Sequence, residues 1–114
     1  MKSIGEEAFD VCYSLTDVCF GSGLLDIGSG AFYNCPISTL TFNDSLLYIG
    51  DSAFENCDSL ESVTLGRDLE DIGDNAFLYC SGLSTVVNRS SLDIEEGLPE
   101  YGYIALYATE VISE

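Results

Sequence analysis

Ile49-Gly50-Asp51-Ser52-Ala53-Phe54-Glu55-Asn56-Cys57 decides the fold, because its skeleton, Ile-Gly-x-x-Ala-Phe-x-x-Cys, occurs four times in the chain. The other copies run from Ile4 to Cys12, from Ile27 to Cys35 and from Ile72 to Cys80, and the isoleucines stand 23, 22 and 23 residues apart. A fixed period in the low twenties describes a solenoid, in which each unit is too small to bury its own apolar face and buries it on the next. Four units exceed the roughly three that stacking needs. A length of 114 residues allows one domain.

A second pattern fills the space between one copy and the next. Leu15, Val18 and Phe20 follow Cys12; Ile37, Leu40 and Phe42 follow Cys35; Leu60, Val63 and Leu65 follow Cys57; Leu83 and Val86 follow Cys80. The alternation within each group has period two, as expected of a strand with one face in a core. Leu24, Leu46 and Leu69 each precede the next isoleucine by three. Each unit therefore reads as strand, turn, apolar knot and return. Ala-Phe-x-x-Cys sets Phe and Cys on one face at helical spacing. The glycine after each isoleucine suits a tight bend.

These residues resemble the BspA-like, or Treponema pallidum-type, leucine-rich repeat family, whose repeat reads approximately L-x-x-I-x-L-P-x-x-L-x-x-I-G-x-x-A-F-x-x-C. The resemblance covers residues 4–87. No proline follows Phe20, Phe42 or Leu65, and the chain departs from the pattern from Asn88 onward. The resemblance implies a right-handed leucine-rich-repeat solenoid with parallel β-strands on the concave side and short helical or irregular returns. It also implies a cell-surface or secreted protein that adheres to host extracellular proteins.

Residues 1–94 read as four full repeats plus the start of a fifth, since Ile94 follows Ile72 by 22. Residues 95–114 read as a degenerate C-terminal cap. There Tyr101, Tyr103, Tyr107 and several β-formers suggest a strand or short hairpin over the last rung, while Pro99 alternatively opens a short helix.

Charge narrows the partners. Twenty acidic residues face Lys2, Arg67 and Arg89, for a net charge of −17. Nucleic acid, which needs clustered Lys and Arg, is excluded as a partner, and an anionic membrane surface is disfavoured. The acids read chiefly as solvation: Tyr48 separates Asp26 from Asp71, Asp44 lies beside Arg67, and Asp51 over Asp74 is the clearest like-charge pair. No run approaches the roughly 18 apolar residues of a membrane span, so no membrane insertion is expected. Met1-Lys2-Ser3 leads at once into Ile4 and leaves no room for a signal peptide in this chain. Surface placement then fits a fragment of a longer protein; a cytoplasmic paralogue is the alternative.

Five cysteines are present and no histidine. Cys12, Cys35, Cys57 and Cys80 share one repeat position and read as buried thiols acting as small hydrophobes. Outer returns are expected to stand wider apart than strands, beyond the roughly 7 Å between Cα atoms that a disulfide tolerates. Cys19 sits between inward Val18 and Phe20 and is expected to face outward as the accessible thiol. Neither a metal site nor a cofactor is expected.

The outward strand positions form a concave pad in three columns: Asp17, Thr39, Ser62 and Thr85; Cys19, Thr41, Thr64 and Val87; then Gly21, Asn43, Gly66 and Arg89. Small hydroxyl side chains dominate, which serves β-structure in any case. As candidate contacts they could hydrogen-bond a protein strand or a sugar, but they lack the Trp, Tyr and Arg anchors that concentrate binding energy. Without histidine, Ser/His/Asp and Cys/His catalysis are excluded. A carboxylate-using polysaccharide enzyme would need two acids in one groove, and this pad supplies only Asp17. The reading is a non-catalytic protein-binding or adhesive module of a cell-surface protein, with a structural spacer without its own ligand as the alternative.

The first rung leaves Ile4, Ala8 and Phe9 and the strand edge along residues 15–20 open, which invites self-association through the N-terminal repeat. The acids oppose it, with a screening length of about 8 Å at physiological salt. Light scattering across a salt series is expected to show monomer at low ionic strength and increasing dimer as salt rises; a monomer throughout would show that residues 1–15 close that end.

Overall fold

The computed structural model describes residues 3–5, 18 and 20–114. Ala8, Phe9, Cys12, Leu15, Asp17 and Cys19 lie outside the described residues. In chain order the elements are β1 (Ser3–Ile4), β2 (Asp26–Ile27), β3 (Thr39–Thr41), β4 (Tyr48–Ile49), β5 (Ser62–Leu65), β6 (Asp71–Ile72), β7 (Thr85–Asn88), the short turn α1 (Glu100–Tyr103) and β8 (Glu110–Ser113). They form two parallel sheets, β1-β2-β4-β6 and β3-β5-β7-β8.

The second sheet is the one expected from the leucine and valine alternation. Leu40 pairs in register with Val63, and Val63 with Val86. All three are buried, with their chain neighbours turned outward. The first sheet was not foreseen. In each of the four units the isoleucine and the residue before it form a two-residue strand, with Ile4, Ile27, Ile49 and Ile72 in one register column and all buried.

The returns are not helices, despite the helical spacing of Phe and Cys. Two residues adopt left-handed backbone in each of the three returns that follow Ile27, Ile49 and Ile72: Gly30 and Asn34, then Ser52 and Asn56, then Asn75 and Tyr79. Between them the N–H groups divide into two sets. Ala31 and Tyr33 donate to Gly28 and Gly30 of their own turn, while Gly30, Phe32 and Asn34 donate to Asp51, Ala53 and Glu55 of the next rung at 2.8–2.9 Å. The same alternation recurs one unit on, where Ser52, Phe54 and Asn56 donate to Asp74, Ala76 and Leu78. A helix would spend every N–H within itself; here half of them tie rung to rung. Asn tolerates the left-handed region because its short amide compensates locally, which explains the asparagines before Cys35 and Cys57.

Because the returns hydrogen-bond across rungs as the strands do, the outer side is no wider than the sheet side, contrary to the sequence expectation, and the molecule measures 29 × 26 × 21 Å. At Gly50 and Gly73 the glycine after the isoleucine follows from the same closeness and not from a bend alone, whereas Gly5 in the first rung has open space where a Cβ would sit. A Cβ on Gly50 would lie 2.6–2.8 Å from the backbone of Ile27, Gly28 and Ser29, closer than real contacts allow.

Inside, the side chains stack in columns. Phe32, Phe54 and Phe77 lie nearly parallel, with centroids 5.1 and 5.4 Å apart. Phe20 and Phe42 stack beside them at 5.2 Å, and Phe42 meets Phe54 edge-on at 5.7 Å. Asn88 takes the place of Leu65 in its register column and is buried. Its amide nitrogen donates to the Leu92 carbonyl at 2.8 Å, and its oxygen accepts from the Ser90 N–H at 3.0 Å, so the polar side chain is satisfied where the core ends.

Residues 95–114 add a further rung. β8 pairs in parallel with β7, Val86 against Val111, so the segment supplies a strand and not a hairpin. α1 is a single distorted turn, with Tyr101 (φ 55°, ψ 52°) and Gly102 (φ 67°, ψ 26°) left-handed. Gly102 accepts the Phe77 N–H at 2.8 Å, the task that Ala76 performs for Phe54. A side chain there would strike the Gly73 carbonyl and Ala76.

The described cysteines, Cys35, Cys57 and Cys80, are buried. Each of the last two aims its thiol at the rung before: Cys57 Sγ donates to the Phe32 carbonyl at 3.3 Å, and Cys80 Sγ to the Phe54 carbonyl at 3.1 Å. The column thus adds a weak hydrogen bond to the packing role expected of it, and the thiols point at backbone oxygens instead of at one another. Burial pushes the Cys57 thiol up to about 12 and raises Cys80 as well.

Two outcomes follow from this core. Phe54→Ala is expected to lower unfolding free energy by about 3–5 kcal/mol. Phe77→Ala should cost less, since Phe54 has stacked rings on both sides; urea titrations that give equal losses would contradict nearest-neighbour coupling. The raised thiols also predict alkaline sensitivity. They are protonated in the folded chain but ionise near pH 8.5 once unfolded, so their contribution is complete below about pH 8.5 and is lost as pH rises toward 12, by about 1.4 kcal/mol per pH unit for each thiol. Unfolding curves of Cys57→Ala should show a shallower decline than the parent between pH 8.5 and 11.

Candidate functional site

The outward face of the β3-β5-β7-β8 sheet is the candidate site, and its columns arise from period two and register. Thr39 lies against Ser62, Ser62 against Thr85 and Thr85 against Glu110. Thr41, Thr64, Val87 and Ile112 form the adjacent column. Thr39 and Thr41 are exposed, and Ser62, Thr64, Thr85 and Val87 are half-buried. The structure thus brings six of the sequence-derived candidates together on one flat face, while Asp17 and Cys19 lie outside the described residues.

The third column behaves differently. Asn43 is half-buried, and its amide nitrogen donates to the Leu24 carbonyl of the preceding rung at 2.8 Å and contacts Ser45. Its side chain supports the turn. Arg89 is exposed, and its Nε meets Glu114 Oε1 at 3.0 Å, the one ion pair among the described residues.

The sequence suggests a strand or short hairpin over the last rung but not the register of β8, so it does not place Glu110, Ile112 and Glu114 on this face. The signal exists: Ala108, Val111 and Ser113 repeat the spacing of Leu83, Val86 and Asn88 at an offset of 25. The extra residues belong to the α1 return, which lengthens the last unit beyond the period of the others. The face therefore carries carboxylates that the sequence reading did not place there.

Elsewhere the acids do more than solvate. Asp51 Oδ1 accepts the Asp74 N–H at 2.9 Å, so the supposed like-charge pair is a carboxylate capping the next rung's backbone. Asp44 Oδ1 likewise accepts the Arg67 N–H at 3.1 Å. On the other sheet, Tyr48 lies between Asp26 and Asp71 as expected. Its hydrogen bond to Glu70 raises the phenol above its ordinary value, with the charges of Glu70, Asp26 and Asp71 adding to the effect.

An open cleft of about 810 Å³ lies where α1 leaves the last rungs, lined by Asp71, Asp74, Asp93, Glu100, Tyr101 and Tyr103 among others. Among the described residues, no group of three or more His, Cys, Asp or Glu side chains is placed to hold a metal ion. No described helix is long and apolar enough to cross a membrane.

A family model of the BspA-type leucine-rich repeat region, built of six copies, matches residues 1–100. No curated protein matches. Three solved structures share the fold. A leucine-rich repeat protein from Bacteroides ovatus is 30% identical over 100% of this chain, with a TM-score of 0.79. A leucine-rich cell surface protein from Faecalibacterium prausnitzii is 26% identical over 99% of the chain, at 0.82. The pneumococcal vaccine antigen PcpA, at 18% identity and 0.70, shows the fold alone. The chain spans 29%, 30% and 34% of those proteins' lengths. With a matching repeat unit over most of its length and a solenoid whose rungs are those units, the chain is a member of the BspA-type leucine-rich repeat family.

Proposed function

We propose that this chain is a non-catalytic protein-binding or adhesive module of a cell-surface protein, with the outward face of β3-β5-β7-β8 as its contact surface. The observation that carries the proposal is the uncovered, in-register array of outward side chains from Thr39 to Ile112. The likeness to a leucine-rich cell surface protein supports the placement, and a host extracellular protein is the partner class that this placement favours. A spacer role is the second reading. It is favoured by the β3 and β5 portion of the face, where Thr39, Thr41, Ser62 and Thr64 offer hydroxyls and no aromatic anchor.

Surface plasmon resonance against a panel of purified extracellular-matrix and cell-surface proteins separates the two. A binding module should retain at least one panel member and lose it, by roughly tenfold or more, when Thr41 and Thr64 are both changed to Arg. Asp26→Ala on the other sheet should leave that affinity unchanged. A chain that retains no panel member, or one indifferent to the arginines, supports the spacer.

A further inference from the structure

The sheet face is not uniform, and its composition changes at β7. On β3 and β5 the outward side chains are Thr39, Thr41, Ser62 and Thr64; on β7 and β8 Val87 and Ile112 lie side by side in register. Ile112 keeps 37% of its surface exposed, and these two are the aliphatic side chains of the described outward columns. Two residues before Ile112 stands Glu110, and two after it Glu114, so β8 presents acid, aliphatic, acid along one face. Alternate residues of a strand are about 7 Å apart. Glu114 is tied to Arg89, whereas Glu110 has no cationic partner among the described residues.

We propose that the β7–β8 end of the sheet is the centre of its contact surface and takes an extended protein segment carrying a basic, an aliphatic and a second basic side chain at alternate positions. This rests on reading the sheet as an interaction face. A partner strand repeats its side chains at the same spacing of about 7 Å, so its aliphatic group meets Ile112 and Val87 while its cations meet Glu110 and Glu114. The net charge of −17 draws such a segment in and repels an acidic one. The segment lies across the face and does not extend the sheet, because the outward N–H of Val111 on the β8 edge is held by Glu96 Oε2 at 3.2 Å.

The test is an NMR titration of the ¹⁵N-labelled chain with a synthetic peptide whose core is Lys-Thr-Val-Thr-Lys, beside its counterpart with Glu for Lys. The lysine peptide should shift Val87, Glu110 and Ile112, with affinity that falls as salt rises. Ile112→Thr, which keeps the β-branch and so the strand, should weaken binding about tenfold. Glu110→Gln should weaken it roughly threefold, and Asp26→Ala on the other sheet should not change it. Equal affinity for the glutamate peptide overturns the proposal, as do shifts confined to the Val111 and Ser113 amides, or none on the sheet. Shifts centred on Thr39, Thr41, Ser62 and Thr64 also overturn it, yet leave the sheet standing as an interaction face.

Discussion

Backbone hydrogen bonding from rung to rung, around the circumference and not only in one sheet, is the constraint on which this molecule depends. Strands bond at the two ladders, and every second N–H of the returns bonds to the next unit. Buried N–H and C=O groups must find partners, and a return of turns can find them only in its neighbour. Left-handed residues at two points in each return aim those groups outward. Gly50 and Gly73 follow their isoleucines where the neighbouring backbone lies in the place of a Cβ. Phenylalanine rings stack at just over 5 Å because the rungs that carry them are that close. The thiols of Cys57 and Cys80 reach the phenylalanine carbonyls of the preceding rungs for the same reason.

A chain with three cations and twenty acids pays little for its charge, because nearly all of the described acids are exposed where water screens them. Some also serve the stacking. Asp51 and Asp44 accept N–H groups from the following rung. Glu96 does the same for the edge of β8. Such contacts convert part of the acidic surface into connections between units, and they recur because the units recur.

Function is carried by the side chains that this scaffold leaves over. Regular stacking fixes where outward residues stand but leaves their identity free, which lets one family present different faces. Here the face divides into a hydroxyl part and a part where two aliphatic side chains lie among carboxylates. The first suits sheet formation as much as recognition; the second has the mixed character that contact surfaces use. The solved relatives are about three times as long as this chain.

The sequence by itself determined the solenoid, its period and the inward side of each strand, because Ile27, Leu40, Phe54 and Val63 repeat at positions that only stacking can bury. It also placed Thr39, Ser62 and Thr85 in one outward column, since period two and a common register leave no other arrangement. Tertiary structure alone decided the rest. Phe-x-x-Cys carries helical spacing, yet the return is built of turns, because its N–H groups are worth more to the next rung than to a local helix. Asp26–Ile27 and Tyr48–Ile49 are two residues each, too short a run to read as a strand, yet the neighbours above and below make them one. β8 was hidden because the α1 return is longer than the others, and only pairing with β7 shows that Glu110 and Ile112 join the face. Asn43 looked like a contact residue by its column, and it is drawn into the turn by the Leu24 carbonyl of a rung that sequence spacing cannot place within reach.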